Sequence, residues 1–293
     1  MVKNIYNTDF KNSPYDNNAS VKGSVTLIKK LENTGSLKLF EYQLLLDNLN
    51  EESFNFASTI ARRLGDESYG KDIYLRGLIE ISNICKNDCY YCGIRHSNRN
   101  CDRYRLTKEE ILECADEGYR LGYRTFVMQG GEDGAFKTDY VCEIVREVKE
   151  RYKDVAVTLS LGEYERDDYK RMFNAGADRY LLRHETADKA HYEKLHPKEM
   201  SFDHRMRCLQ DLKEIGFQVG CGFMVGSPYQ TNAQLAKDLK FIEEFKPHMC
   251  GIGPFIPHHD TDFREEKRGS LHMTLFLLSI MRIMRPEMLI PAT

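Results

Sequence analysis

The sequence of 293 residues lacks an excess of charge of either sign, because 42 basic side chains are balanced by 45 acidic ones. A formal net charge of -3 offers no electrostatic footprint for nucleic acid or for an anionic membrane surface. Tryptophan is absent, yet 15 phenylalanines and 17 tyrosines in a chain with 41% hydrophobic residues are enough for one large buried core. The composition therefore favours a folded protein that acts on small molecules.

The chain also lacks the sequence features of export and of membrane insertion. Its first ten residues, MVKNIYNTDF, contain no basic start, apolar stretch or small-residue cleavage site. The most apolar late stretch, from Met273 to Met284, is too short to cross a bilayer and is interrupted by Ser279 and Arg282. We therefore expect a half-buried helix there and a cytoplasmic protein.

Cysteine is the residue type with the most informative spacing. Nine is an odd number, and thiols in a chain that is not exported normally stay reduced, so a disulfide framework explains them poorly. Cys85, Cys89 and Cys92 are separated by three and two residues, a spacing expected by chance about 0.008 times in a chain of this composition. We interpret these three as a ligand set. Five others are predicted to be buried small hydrophobic groups in helices or strands: Cys114, Cys142, Cys208, Cys221 and Cys250.

The first part of the chain predicts a loosely held arm over residues 1–20, followed by a helical extension over residues 21–70. The extension contains three helical patterns, over residues 21–32, 36–48 and 51–64. In the second pattern, helical spacing predicts one apolar face that contains Leu37, Phe40, Leu44 and Leu45.

Residues 71–293 alternate between short apolar runs and amphipathic stretches of helical length. Thr107 and Glu110 form a capping-box pattern, and Gly122, Gly176 and Gly216 each precede an apolar run, where a helix would end. Repeated strand and helix units imply parallel strands, in a β/α barrel or a doubly wound open sheet. We count seven candidate strands, over residues 73–82, 125–129, 155–161, 179–183, 218–225, 249–255 and 288–291.

Two observations favour the barrel. Most of the chemically capable polar residues follow strand ends, and no glycine-rich dinucleotide fingerprint follows the first strand. Seven strands are one fewer than a closed ring of eight needs. We therefore expect an α/β fold of the TIM-type (β/α)8 class whose last C-terminal strand and helix are missing from this sequence.

The three-cysteine loop directly follows the first candidate strand, and two kinds of metal site fit it. Three thiolates from one tight loop can bind three irons of a cubane cluster, which leaves the fourth iron open to a substrate or cofactor. A structural zinc ion is instead enclosed by four protein ligands, and His96 or Cys101 offers a fourth ligand here. The second possibility would make the chain a zinc-stabilised binding module without catalytic activity.

The pattern Cys85-x3-Cys89-x-Tyr91-Cys92 at the end of a first barrel strand resembles the signature of the radical S-adenosylmethionine (SAM) superfamily. The resemblance implies that the three thiolates hold a 4Fe-4S cluster whose open iron is chelated by the amino and carboxylate groups of SAM. In that superfamily one electron from the cluster cleaves SAM into methionine and a 5'-deoxyadenosyl radical.

From about residue 70 onward the chain most closely resembles the HydE family of FeFe-hydrogenase maturases, with methylornithine synthase and biotin synthase as alternatives in the same subgroup. An electron donor such as ferredoxin or flavodoxin, and other hydrogenase maturases, are the partners that this resemblance implies. It also implies radical attack on the sulfur of a cysteine-bound iron dicarbonyl cyanide species. The segments that carry the resemblance are residues 93–98, 103–105, 129–133, 158–163, 180–187, 224–226, 251–258 and 290–293.

The resemblance implies SAM-binding roles for several residues. Gln129 and Gly130 belong to a glycine-rich motif after the second strand that receives the amino end of SAM. Glu185 would bind the ribose hydroxyls and Arg205 the methionyl carboxylate, although a helical arginine viewed alone is more often solvated. Tyr91, inside the cysteine motif, belongs to the same site.

Arg183 can be argued from the residues themselves. It stands two positions before Glu185 on a hydrophobic strand, so both side chains should point to the same side of the sheet, and a buried arginine needs an anionic partner. The resemblance implies a long interior cavity for an anionic, organometallic or sulfur-containing ligand, lined by Thr158, Arg183, Met224 and Thr293. Thr158 and Met224 are equally compatible with filling the barrel interior.

Overall fold

The computed structural model describes the backbone of residues 17–291 and the side chains of residues 23–291. Most of the predicted arm and Thr293 of the predicted cavity lie outside the described residues. The first helix begins at Asn17, inside the stretch predicted as an arm, so residues 17–20 are helical. The boundary predicted between residues 70 and 71 stays a prediction.

Helices and short strands alternate after an all-helical start. The helices are α1 (Asn17–Thr34), α2 (Leu39–Asp47), α3 (Glu51–Tyr69), α4 (Lys108–Arg120), α5 (Thr138–Arg151), α6 (Arg166–Asn174), α7 (Lys189–Leu195), α8 (Phe202–Ile215), α9 (Asn232–Phe245) and α10 (Leu271–Met284). The strands are β1 (Gly77–Ser82), β2 (Thr125–Gly130), β3 (Ala156–Ser160), β4 (Arg179–Leu181), β5 (Gln218–Cys221), β6 (Met224–Val225), β7 (Met249–Cys250) and β8 (Gly253–Pro254).

Six strands form one parallel sheet in the order β1-β2-β3-β4-β5-β7, and β6 pairs with β8 in a second parallel pair. The strands of the main sheet thus follow one another in chain order, with only β6 left out, as in a β/α barrel, whereas a doubly wound sheet reverses its order part-way. The predicted α/β fold with parallel strands is confirmed. The strand predicted over residues 288–291 contributes only a single bridge, between Leu289 and Met249.

The strands predicted over residues 218–225 and 249–255 are each divided in two. Gly222 and Gly251 meet at the divisions, where a Cβ atom on Gly222 would collide with the carbonyl oxygen of Gly251. The two backbones approach more closely here than a regular ladder between side-chain-bearing strands allows.

The two faces of the sheet differ in chemistry. Side chains alternate along a strand, so Ile79, Met128 and Leu159 point toward the surrounding helices and are buried there. On the opposite face, Glu80, Gln129 and Ser160 lie next to one another in register. The face turned away from the helices is therefore polar toward the carboxyl ends of the strands, and it is called the polar face below.

The predicted helix ends are confirmed. Thr107 and Glu110 cap α4 reciprocally, with Thr107 Oγ1 accepting from the Glu110 backbone N–H at 3.2 Å and Glu110 Oε2 accepting from the Thr107 backbone N–H at 2.7 Å. Gly216 ends α8 with a φ of 112°, in the left-handed region that favours glycine.

The apolar face predicted for α2 is wrong in part. Leu37 and Leu45 are buried, but Phe40 is 62% exposed and Leu44 is 49% exposed. The helix instead packs against α9 through a face that contains Tyr42, whose hydroxyl donates to Glu243 Oε2 at 2.7 Å. A tertiary partner therefore decides which side of α2 is buried.

The late apolar stretch forms α10, in which Phe276, Leu277 and Ile280 are fully buried while Leu271 is 60% exposed. No helix among residues 17–291 is long and apolar enough to span a membrane. Four of the five scattered cysteines are buried as predicted, but Cys114 on α4 is exposed.

Candidate active site

The loop after β1 carries the three clustered cysteines. Cys85, Cys89 and Cys92 are partly buried and free of disulfide bonds, and the turn between the last two is closed by a hydrogen bond from Cys92 N–H to Cys89 O at 3.1 Å. Burial, and then the neighbouring thiol of Cys92, raises the pKa of Cys89, and burial also raises the pKa of Cys92. Both thiols therefore need a bound cation to become thiolates at neutral pH.

The Arg103 side chain holds the cysteine loop through hydrogen bonds to four backbone carbonyl oxygens. Its Nη1 donates to the carbonyl oxygens of Asn83 at 2.5 Å and Ile94 at 2.9 Å. Its Nη2 donates to those of Arg95 at 2.6 Å and Asn98 at 3.0 Å. One guanidinium thus joins the start of the loop to the residues just after Cys92. Arg103 lies in a segment that carries the family resemblance, but the sequence offered no role for it.

The glycine motif after β2 packs directly on the cysteine loop. Gly131 N–H donates to Ser82 O, and Lys86 N–H donates to Glu132 O, both at 3.0 Å. A Cβ atom on Gly131 would collide with the Ile84 carbonyl oxygen and lie 2.8 Å from Cys85 Cβ. Only glycine permits this close approach of the two backbones, which brings Gln129 and Gly130 beside the cysteine loop.

Arg183 and Glu185 meet after β4, where Arg183 Nε donates to Glu185 Oε1 at 3.0 Å. Arg183 and Glu185 lie close together as predicted. The predicted reason, which was the alternation of side chains along an extended strand, is wrong. The strand ends at Leu181, and Glu185 has a φ of 63°, which turns its backbone out of the extended conformation. Glu185 Oε2 is buried and has no hydrogen-bond partner within the described part of the chain, so this carboxylate oxygen is open to a ligand hydroxyl.

Arg205, in the first turn of α8, is buried rather than solvated. Its Nε donates to Glu163 Oε1 at 2.5 Å, its Nη1 donates to Arg183 O at 2.8 Å, and its Nη2 lies 3.8 Å from Glu132 Oε1. Burial lowers the pKa of Arg205, but the Glu163 carboxylate and the other acidic groups around the guanidinium together outweigh this effect, and the net pKa is raised. Both donors of Nη2 and one donor of Nη1 form no hydrogen bond to the described residues, so Nη2 is the more available end of the guanidinium.

Tyr91, between Cys89 and Cys92, is held by His196. The His196 Nδ1 lies 2.9 Å from the Tyr192 carbonyl oxygen, which can only accept, so Nδ1 carries the proton. Nε2 therefore accepts from the Tyr91 hydroxyl, 3.1 Å away. Burial lowers the pKa of His196 to about 4 and keeps the ring neutral. Sequence reasoning missed His196, because no local pattern links it to a residue 105 positions earlier.

A cavity of about 880 Å³ lies on the polar face of the sheet. Gln129 and Arg183 line it together with Leu181 and Arg76. Thr158 is 2% exposed in the wall beside Val127, and Met224 packs with Phe255 and Tyr91, so neither lines the cavity. Both occupy the barrel-filling positions that the sequence left open, and their ligand contacts stay predictions.

The thiol loop fits a cubane cluster better than a single zinc ion. A tetrahedral zinc with bonds of about 2.3 Å to sulfur brings its ligands to about 3.8 Å from one another. Within residues 17–291, the one group of three His, Cys, Asp or Glu ligand atoms that all lie within 4.8 Å of one another is His258, His259 and Asp260. The three thiols are spread more widely, as ligands to three different irons are.

The ends of β1, β2 and β4 meet at the cysteine loop. This arrangement is that of an enzyme with a metal cluster at the mouth of a β/α barrel. Residues 79–242 match the model of the radical SAM superfamily, and the chain belongs to that superfamily. Its members are enzymes that bind a 4Fe-4S cluster and SAM. Membership removes the zinc-stabilised binding module as an alternative.

Individual members of the superfamily show which of its enzymes the chain is similar to. The chain is 47% identical over 245 residues to the [FeFe] hydrogenase maturase subunit HydE of Thermotoga maritima, covering 83% of this chain and 68% of that protein. It is 28% identical over 255 residues to the 3-methylornithine synthase of Methanosarcina acetivorans, covering 86% and 72%. The crystal structure of methylornithine synthase (PylB) superposes with a TM-score of 0.82 at 27% identity, covering 90% and 78%. The predicted superfamily, and the predicted resemblance to HydE, are confirmed.

Proposed function

We propose that this chain is a maturase of FeFe hydrogenase of the HydE type that cleaves SAM at a cluster held by Cys85, Cys89 and Cys92. The observation that carries the proposal is the 47% identity to HydE over 83% of the chain, against 28% to methylornithine synthase. The arrangement of the site supports it, because the thiol loop, the glycine motif and the Arg183–Glu185 pair meet at one edge of the sheet.

The cluster, when bound, supplies the electron and the open iron position at which SAM is cleaved to methionine and a 5'-deoxyadenosyl radical. The chain's own contribution is to orient SAM. The backbone at Gln129 and Gly130 is close enough to the thiol loop to receive the amino end. The unpartnered Glu185 Oε2 accepts from the ribose hydroxyls, since a buried carboxylate oxygen gains most from a donor.

Only part of the Arg205 guanidinium is available to bind SAM. Glu163 and the Arg183 carbonyl already occupy its Nε and part of its Nη1, so Nη2 is the group offered to the methionyl carboxylate. Glu132, 3.8 Å from Nη2, limits the net positive charge at that position. The Tyr91 hydroxyl is committed to His196, so we assign Tyr91 to SAM binding through its ring.

The substrate of the proposed reaction occupies the cavity on the polar face. Its volume of about 880 Å³ is in the range of small-molecule sites, and Arg183 places a cation at its wall. An anionic, organometallic or sulfur-containing ligand suits this lining. We further propose a cytoplasmic location, an electron donor such as ferredoxin or flavodoxin, and other hydrogenase maturases as partners.

The decisive experiment has two stages. Anaerobic protein reconstituted with iron and sulfide is reduced with dithionite, and 5'-deoxyadenosine formed from SAM is quantified. The chain is then co-expressed with an apo-hydrogenase and the remaining maturases, in place of their own HydE, and hydrogen evolution is measured. Cleavage with hydrogenase activation supports the full proposal. Cleavage with 3-methylornithine in the cells, and no activation, would favour the second candidate suggested by the PylB fold match.

A further inference from the structure

Beneath the turn that carries Arg183 and Glu185 lies a buried polar pair with no part in the site described above. His184 and Asp238 are both 0% exposed, and His184 Nε2 lies 3.3 Å from Asp238 Oδ1. His184 stands between the two site residues in the chain, but its ring packs on Phe241 of α9 at a centroid distance of 4.7 Å. The pair therefore lies in the layer between the sheet and α9.

The turn above the pair has an unusual backbone. Glu185 adopts a φ of 63°, a left-handed conformation that residues with a Cβ atom rarely take without support. Glu185 N–H donates to Gly222 O at 3.0 Å, which secures one side of the turn. On the other side, Ala187 N–H donates to Asp238 Oδ1 at 2.5 Å. A side chain from α9 thus completes the hydrogen bonding of the turn.

The pair is costly to bury and is incompletely bonded. His184 Nδ1 and Nε2 and Asp238 Oδ2 lack a hydrogen bond of good geometry. Burial lowers the pKa of His184 to about 3 and raises the pKa of Asp238 well above its usual range. An aliphatic pair of similar volume would fill this space at lower cost. What such a pair would lack is the acceptor for Ala187 N–H, two residues after Glu185.

We propose that Asp238 and His184 are positioning residues for SAM binding: they hold the turn in the left-handed conformation that presents Glu185 Oε2 to the ligand. Asp238 acts on the turn directly, by accepting the hydrogen bond from Ala187 N–H. His184, which belongs to the turn, contacts the Asp238 carboxyl group. The inference rests on the proposed SAM-binding role of Glu185 and adds to it a dependence on helix α9.

The test is a titration of SAM into anaerobically reconstituted protein by calorimetry, with cluster iron measured in parallel. Asp238→Ala is expected to weaken SAM binding about tenfold at unchanged iron content, because the turn loses its side-chain acceptor. Asp238→Asn is expected to bind within about twofold of wild type, since its amide oxygen still accepts from Ala187 N–H. His184→Gln should weaken binding in the same direction as Asp238→Ala, and it replaces that variant if Asp238→Ala does not fold.

Two controls separate positioning from a general loss of stability. Tyr42→Phe removes a hydrogen bond to Glu243, also on α9, and is expected to leave SAM affinity unchanged. In a Glu185→Ala background, the further change Asp238→Ala is expected to have no effect on affinity, because it acts through Glu185. Undiminished SAM binding by Asp238→Ala, or effects that simply add in the double variant, would overturn the inference alone. Failure of the wild type to bind SAM would overturn the proposed function as well.

Discussion

Arg105 and Asp133 form a bidentate ion pair, with Arg105 Nε and Nη2 donating to the two Asp133 oxygens at 2.6 and 2.7 Å. Ser82 Oγ, at the end of β1, donates to the same carboxylate at 2.7 Å. Asp133 ends the glycine motif after β2, and Ser82 and Arg105 flank the cysteine loop. This single carboxylate therefore ties both ends of the loop to the neighbouring strand.

Asp133→Asn is expected to lower the free energy of unfolding by about 1 to 3 kcal/mol at neutral pH, because the buried hydrogen bonds to a charged acceptor are weakened. Burial raises the pKa of Asp133, but the hydrogen bonds from Arg105, Ala135 and Ser82 outweigh it and the net pKa is lowered. A depressed folded-state pKa stabilises the protein above the unfolded value of about 3.9 and ceases to do so as the pH falls through the folded value.

Urea denaturation of wild type and Asp133→Asn should therefore show a stability difference that is constant from pH 7 to about pH 5 and shrinks below about pH 4. The control is Asp154→Asn, which removes an exposed ion pair with Arg124 and should change stability by less than about 0.5 kcal/mol. A difference that persists unchanged at pH 3 would show that the Asp133 charge is not what stabilises the loop.

Arg103→Lys should disrupt the cysteine loop although it retains the positive charge. Four carbonyl oxygens are bound by the planar guanidinium, and an ammonium on a flexible stem cannot reach all of them. We expect the reconstituted variant to retain less than about half of the wild-type cluster iron, with a comparable loss in SAM cleavage. The exposed Arg99 of the same loop is the matched control, and Arg99→Lys should bind iron normally. Equal iron in the two variants would remove the structural role assigned to Arg103.

The sequence was sufficient to predict those parts of the site that are close together along the chain. Cys85, Cys89 and Cys92 share one loop, and Arg183 and Glu185 are two residues apart, so their proximity follows from spacing. The partners contributed by distant segments were not predictable in the same way. Glu163 binds Arg205 across 42 positions, and nothing in the local pattern of either segment encodes that contact.

The fold shows the same division between local and tertiary information. Alternating strands and helices predicted the parallel sheet, and glycines predicted the helix ends, because both depend on local conformation. The buried face of α2 was not predicted correctly, since Tyr42 rather than Phe40 meets α9. The break after β5 was also missed, because it lies where Gly222 meets Gly251, a residue between β7 and β8.

Cys85→Ser, Cys89→Ser and Cys92→Ser are each expected to lower SAM cleavage by at least about a hundredfold, since serine is a poor ligand for iron in a thiolate cluster. Cys114→Ser, at an exposed position on α4, is the matched control and should retain full cleavage and full iron. The measurement is 5'-deoxyadenosine formed per cluster under reducing conditions. Normal cleavage by any of the first three variants would refute the proposed ligand set.

Glu185→Ala is expected to weaken SAM binding while leaving cluster iron intact, because Glu185 lies on the turn after β4 and not on the cysteine loop. The buried Oε2 has no hydrogen-bond partner among the residues that the structure describes, so a ribose hydroxyl would gain a hydrogen bond to a charged acceptor, worth about 1.5 to 3 kcal/mol or a ten- to hundredfold change in affinity. Glu185→Gln, which keeps the shape and one acceptor oxygen, should fall between wild type and Glu185→Ala. Glu193→Ala, at an exposed position on α7, serves as the control for loss of a carboxylate. If SAM affinity is the same in Glu185→Ala and Glu193→Ala, the ribose is bound elsewhere.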